Sequence, residues 1–358
     1  MNILAIETSC DETAAAVTTD EGNILSDVVA SQIADHAAFG GVVPEIASRR
    51  HIELIDPVVT QAMNEAGLAY EDLGGIAVTQ GPGLVGALLV GISFAKALAY
   101  GLNLPLCGIN HLEGHLSAAK INHEVTYPHV GMVVSGGHTS LYLIHSPSQM
   151  TQIGQTLDDA AGEAFDKVAK LLGLGYPGGV IIEKISREID HHEIDLPRPM
   201  INDEGYDFSF SGLKTAVLNR VIRQEIFPEI DLRFSGLPDG KKPVPGKEGL
   251  VSTIAAAFQE AVVDVLVTKA IKAVKDHGMN LLVISGGVAS NTALRTRLQS
   301  TADEEGIDLI IPERKYCTDN AAMIAIASIR YFKEGLYADL DMNARSRWPS
   351  ITRTETAI

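Results

Sequence analysis

The chain has 358 residues, enough for two ordinary domains, and its hydrophobic content of 46% fits a soluble globular protein rather than a disordered one. Its net charge of −17 lacks the basic character of a protein that grips nucleic acid unaided. A nucleic-acid ligand would need a local patch, such as Ser48-Arg49-Arg50-His51 or Arg345-Ser346-Arg347-Trp348, together with a partner protein.

The first third alternates strands and helices. Strands are expected at 2–8, 13–19 and 24–31, with Asp20-Glu21-Gly22-Asn23 as a turn. Residues 44–66 have helical periodicity, with Ile46, Arg50, Leu54 and Val58 about four apart. A buried strand at 75–79 leads through Gly81-Pro82-Gly83 into a helix over 84–100. That helix carries Gly86, Gly91, Ser93 and Lys96, and reads as a buried helix rather than a membrane span. A strand at 106–110 runs directly into a histidine-bearing helix. The pattern then restarts: a strand at 129–135, a tight Ser-Gly-Gly-His turn, and a strand at 139–145. This echo of the opening predicts two related lobes with a cleft between them.

Helices follow at 162–172, 180–189, 211–224 and 252–277. Segments 191–203 and 227–247 read as surface insertions. A buried strand at 281–285 leads to a helix from Asn291. A last strand at 309–312 precedes a helix capped by Asp319 and ending at Gly335. Beyond Tyr337 the chain reads as a loosely packed tail. The expected division is residues 1–125, 126–337 and a tail at 338–358. The chain shows no basic leader and no uninterrupted apolar run of membrane length, so the expectation is a cytoplasmic protein. Cys10, Cys107 and Cys317 are widely spaced and odd in number, which fits a reducing compartment rather than a disulfide framework.

His111-Leu112-Glu113-Gly114-His115 is the sharpest chemical signal. The two histidines share one side of a helix and can grip one metal ion. Glu113 lies about 200° around the helix from His111, away from that ion. A zinc protease needs its glutamate beside the metal-bound water, so a protease reading starts with a handicap. A third ligand must come from elsewhere, and Asp319, after a short strand at the mouth of a helix, stands out. The same spacings suit a structural histidine pair and an ordinary helix cap.

Two glycine loops each follow a buried strand: Val134-Ser135-Gly136-Gly137-His138, and Ser285-Gly286-Gly287-Val288 leading to Asn291. With the glycines of 173–179 they point to a nucleotide in a cleft. Neither a P-loop nor a dinucleotide fingerprint is present. Four carboxylates and Lys167 crowd residues 158–167, where Asp166 could accept from sugar hydroxyls. Asp11 and Glu12, on the first loop, are either turn formers or acid/base groups.

Taken in order, these segments resemble the TsaD family, once labelled O-sialoglycoprotein endopeptidase. They are Ile6 to Thr13, Gln80 to Leu84, His111 to His115, Val134 to Thr139, Asp158 to Lys167, Phe208 to Thr215, Ser285 to Val288 with Asn291, and Tyr316 to Asn320. The resemblance implies an α/β, actin/Hsp70/sugar-kinase-like (ASKHA) fold of two duplicated lobes. It implies an acyltransferase that moves a threonylcarbamoyl group from threonylcarbamoyl-adenylate to N6 of adenosine 37 in tRNAs reading codons that start with A, releasing AMP. By motif, His111, His115 and Asp319 would hold one divalent metal, iron in many descriptions and zinc in some. Val134, Ser135, Gly136, Gly137, His138, Asp166, Gly179, Glu183 and Asn291 would line the adenylate site. Glu183 stands where many relatives carry Asp, and residues 227–247 match no family motif. Implied partners are tRNA and the TsaB and TsaE proteins. Asp11 or Glu12 would assist proton removal. The rivals are a metalloprotease and a nucleotide-binding kinase of the same fold.

Overall fold

The computed structural model describes residues 1–189, 191–227 and 242–348. Much of the expected 227–247 insertion and the end of the tail lie outside them. The elements in chain order are β1 (Asn2–Glu7), β2 (Glu12–Thr19), β3 (Ile24–Ser31), α1 (Ile33–Ala37), α2 (Pro44–Ala66), β4 (Leu73–Gly81), α3 (Val85–Leu102), β5 (Leu106–Asn110) and α4 (His111–Ser117). After them come β6 (His129–Val134), β7 (Thr139–Ser146), β8 (Gln149–Gln155), α5 (Ala161–Leu171), α6 (Gly178–Ser186) and α7 (Ser211–Arg223). The last are α8 (Glu248–Asp276), β9 (Leu281–Ser285), α9 (Thr292–Glu305), β10 (Asp308–Ile310) and α10 (Ala321–Glu334).

The chain divides into two compact units. The first comprises Met1–Val125, Pro147–Gln149 and Pro312–Ile358, the second Thr126–Ser146 and Met150–Ile311. Residues 312–337, expected in the second lobe, therefore return to the first. The reason is α10, whose Met323, Ile324, Ala325, Ala327, Tyr331 and Phe332 pack against Ile3 and Ala5 of β1 and Ala77 of β4.

Each unit holds a five-stranded sheet, ordered β3-β2-β1-β4-β5 in the first and β8-β7-β6-β9-β10 in the second. In the first, β1 pairs antiparallel with β2 and parallel with β4. In the second, β6 pairs antiparallel with β7 and parallel with β9. The two sheets thus repeat one topology. Side chains alternate along β1: Leu4 and Ile6 join Val58, Val59, Leu88 and Ile92 of α2 and α3, whereas Ile3 and Ala5 meet α10. In the second unit α8 is buried along most of its length, with Ile254, Phe258, Val262 and Leu266 fully enclosed, as a core helix.

The segment after Tyr337 departs from the expected loose tail. Ala338 N donates to Leu106 O at 2.7 Å, and Arg345 N donates to Gln80 O at 2.9 Å. Gln80 Nε2 donates to Asn343 O at 2.9 Å, and Met342 is buried in the first unit's core. Residues 338–345 form a strap that runs from the amino end of β5, at Leu106, to the carboxyl end of β4, at Gln80.

Candidate active site

In the first unit β5 ends at Asn110, whose side chain accepts from Leu112 N at 2.8 Å and Glu113 N at 3.3 Å. This cap starts α4 at His111, so both histidines fall on the helix that leaves the strand end. Their ring centroids are 4.7 Å apart. Asp319 arrives from the loop before α10, its Oδ1 3.1 Å from His115 Nε2 and 3.6 Å from His111 Nε2. The ligand atoms of the three residues lie within 4.8 Å of one another.

Asp319 is not the helix cap expected from the sequence. Asn320 takes that role, accepting from Met323 N at 2.9 Å. The carboxylate of Asp27 on β3 accepts from Ala322 N at 3.3 Å. With its neighbour capping α10, Asp319 is left to face the histidines.

Glu7, at the end of β1, is fully buried behind His111. Its Oε2 lies 3.0 Å from His111 Nδ1 and accepts from Thr79 Oγ1 at 2.6 Å, while Oε1 accepts from Ser9 N. With Nδ1 donating to Glu7, the neutral ring of His111 presents a lone pair on Nε2. Burial works against charge on His111, but Asp319 and Glu7 outweigh it and push this imidazole up to about 9. Burial lowers His115, and its neighbour His111 adds to that effect. Two imidazole nitrogens and a carboxylate oxygen, with one ring fixed from behind by a carboxylate, suit a divalent cation. Sequence reasoning did not assign Glu7. Its only signal there is membership of the Ile6 to Thr13 segment.

Glu113 points away from this cluster. It accepts from Arg330 Nη2 at 3.1 Å and from Tyr331 Oη at 2.7 Å, and is buried. That is the direction the helical spacing predicts.

Asp11 lies on the loop before β2, whereas Glu12, expected on that loop, is the first residue of the strand, and this junction is pinned from α2. His51 Nε2 donates to Cys10 O at 2.9 Å, and its Nδ1 accepts from Thr13 Oγ1 at 2.8 Å. Burial and the charges of Asp11 and Asp319 raise Glu12 well above the usual carboxylate range.

The second unit gathers the glycine loops. Ser135 N donates to His138 O at 2.7 Å, closing the hairpin turn, and Gly162 N, at the start of α5, donates to Ser135 O at 3.2 Å. Val134 is buried, whereas Gly136 and Gly137 are exposed with open space where a side chain would stand. Gly286 has φ +98°, and an added Cβ would lie 2.3 Å from Val134 O, so only glycine fits beneath this hairpin. Asp166 accepts from Gly178 N at 2.8 Å, ordering the first turn of α6, which also contains Gly179. Glu183 accepts from Thr292 Oγ1 at 2.6 Å, and Asn291 caps α9 by accepting from Leu294 N at 3.0 Å. The Asn291 amide also donates to Gln259 Oε1 at 2.8 Å. Three of the expected binding side chains thus order helix amino termini, where backbone N–H groups favour an anion.

Asp158 is a further unforeseen organiser. It accepts from Ser211 Oγ at 2.6 Å and Phe210 N at 2.8 Å, and from Ser209 Oγ, so it caps α7 from a distant part of the chain. This joins the acidic segment to the Phe208 to Thr215 segment.

The family model for TsaD, tRNA N6-adenosine threonylcarbamoyltransferase, matches residues 23–326. A protein of that name from Geobacter sulfurreducens is 50% identical over 349 residues, covering 98% of this chain and 97% of its own. One from Syntrophus aciditrophicus is 50% identical over 350 residues, covering 98% of each chain. Among solved structures, full-length HypF in its phosphate- and nucleotide-bound form aligns with TM-score 0.60 at 14% identity, covering 94% of this chain and 56% of that one. The (R)-2-hydroxyglutaryl-CoA dehydratase component A of Acidaminococcus fermentans aligns with TM-score 0.53 at 12% identity, covering 92% and 98%. The α/β ASKHA class expected from the sequence is the fold the chain adopts.

Proposed function

The chain belongs to the TsaD family, the tRNA N6-adenosine threonylcarbamoyltransferases, and modifies tRNA; from that premise we propose how its residues divide the reaction. The donor is threonylcarbamoyl-adenylate, a mixed anhydride already activated toward a weak nucleophile. The adenine N6 of adenosine 37 attacks its carbonyl carbon, the bond to the phosphate oxygen breaks, and AMP leaves. One proton is lost from N6.

The exposed Gly136 and Gly137 backbone, flanked by Ser135 and His138 and by the first turn of α5, supports phosphate binding in the second unit. Asp166 orders the first turn of α6, in which Gly179 lies, Glu183 and Asn291 order that of α9, and these four residues border the same adenylate site. In the first unit His111, His115 and Asp319 hold one divalent metal, iron by preference and zinc as the alternative. Such an ion, when bound, supplies Lewis acidity toward an oxygen. Glu12 takes the N6 proton, with Asp11 beside it. Its raised affinity for protons makes it a better base than an ordinary carboxylate.

The observation that carries this reading is the pairing of the His-His-Asp cluster with a Glu113 held on the far side by Arg330 and Tyr331. A metal-competent site without a hydrolytic base beside it suits transfer better than peptide hydrolysis. TsaB and TsaE remain the proposed protein partners, and the cytoplasm the proposed location.

Single-turnover transfer from preformed adenylate to an unmodified tRNA transcript tests the scheme, read as AMP released per modified nucleoside. Stoichiometric release supports it. ATP consumption in place of adenylate would support the kinase reading, and transfer unchanged in both Asp11→Ala and Glu12→Ala would remove the assigned base.

A further inference from the structure

The basic and aromatic cluster Arg345-Ser346-Arg347-Trp348 has no part in the reaction above. We propose that it is a tRNA contact, a strap that offers two guanidiniums and an indole to the phosphates and an unstacked base of the substrate. This rests on the tRNA-modifying activity and adds the residues that meet the RNA.

The strap is seated in the first unit by features built into the sheet. Gly81 has φ +148°, and an added Cβ would lie 1.9 Å from Arg345 O. An added Cβ at Gly108 would lie 2.5 Å from Met342 Sδ. Both glycines admit the strap, which the Arg345 N to Gln80 O bond of 2.9 Å then holds. Gly81 pairs in register with Asn110, the cap of the histidine helix α4. The seat therefore brings Arg345 to the strand ends from which His111 starts.

The seat uses the strap's backbone and Met342, and leaves the charges unused. Arg345, Ser346 and Arg347 are exposed, and Trp348, the chain's one tryptophan, is half-buried. The Arg345 guanidinium lies 4.6 Å from the Trp348 ring centroid. Among the described residues neither Arg345 nor Arg347 forms an ion pair with a carboxylate. Single-stranded RNA loops are bound by such surfaces, with bases stacked on aromatic or guanidinium planes and phosphates met by Arg. A chain of net charge −17 repels RNA at long range, so productive docking requires a local cationic segment.

The test is equilibrium binding of unmodified tRNA to the full-length, transfer-competent protein across a salt series. The variants are Arg345→Ser/Arg347→Ser and Trp348→Leu, with metal content and circular dichroism confirming the fold. The double variant is expected to bind about tenfold more weakly at low salt, with the log–log salt slope shallower by about 1.5. Trp348→Leu is expected to weaken binding at least about fivefold with the slope unchanged. Both variants should raise KM for tRNA and leave kcat near that of the parent. Folded variants that match the parent in affinity and slope overturn the strap assignment alone. A parent protein that does not bind tRNA overturns the tRNA reading itself.

Discussion

Glu7 Oε2 sits 3.0 Å from His111 Nδ1, with Thr79 Oγ1 and Ser9 N donating to the same carboxylate. Three donors converge on Glu7, so an ionised carboxylate satisfies the site and an amide does not. Glu7→Gln turns an NH2 group toward at least one donor and loosens the ring. Metal affinity is expected to fall about 10- to 100-fold. Chelator competition on the purified protein reads this directly, and parental affinity in Glu7→Gln would contradict it.

Metal binding should displace a proton. His111 is pushed up to about 9 by Asp319 and Glu7 against the opposing effect of burial, and it must be neutral to coordinate. Near neutral pH about one proton is expected to leave per ion bound, and affinity should climb as pH approaches 9. Calorimetry in two buffers of different ionisation enthalpy measures the count. Identical heats in both would refute it.

Asp27 trades stability for a cap on α10. Burial raises its carboxyl from 3.8 to about 6, against the favourable bond from Ala322 N. The folded state holds this proton more tightly than the unfolded chain, so the contribution to stability falls as pH rises from 3.8 to about 6 and stays low above that. Asp27→Asn keeps an acceptor for Ala322 N. It is expected to stabilise the protein by about 1–2 kcal/mol at pH 7, after allowance for partial exposure, and by progressively less toward pH 4. Thermal melts at the two pH values decide it.

Asp158→Ala removes the acceptor shared by Ser209, Phe210 and Ser211 and leaves the start of α7 uncapped. A loss of about 1–2 kcal/mol is expected, the range of a lost helix cap. Denaturant unfolding should register it while metal content stays at the parental level.

Glu113→Ala separates the transferase from a hydrolase. Removing a buried partner of Arg330 is expected to cost about 3 kcal/mol of stability. Single-turnover transfer by the folded fraction should stay within about twofold of the parent, since Glu113 faces away from the cluster. A loss of transfer of a hundredfold or more, with metal still bound, would place Glu113 in the chemistry.

Three strands are legible residue for residue, and the other expected strands differ from their expected bounds by one or more residues at their ends. Ile24–Ser31, Leu106–Asn110 and Leu281–Ser285 have the bounds their sequences announce, as does the helix Pro44–Ala66. Gln149–Gln155 escapes because its glutamines and threonine carry no apolar alternation, and it forms the edge of its sheet. The helix expected over 84–100 starts at Val85 and runs on to Leu102, because the left-handed turn that ends it is supplied by Asn103 at φ 54°. His111, His115 and Asp319 are legible as residue types with ligand chemistry. Glu7 and Asp158 are not, because each acts through residues distant in sequence. The choice between Asp319 and Asn320 as cap lies one residue below what spacing resolves.

The return of residues 312–348 to the first unit has a consequence for biosynthesis. That unit's sheet is translated before the second unit, yet α10, which covers one of its faces and brings Asp319, is translated after it. The second unit, nearly continuous in sequence, can close while the first still exposes Ile3, Ala5 and Ala77. A metal held by His111, His115 and Asp319 would be captured only once residue 319 is made, and a nascent chain stalled before it is expected to be an aggregation-prone intermediate that carries the two histidines alone.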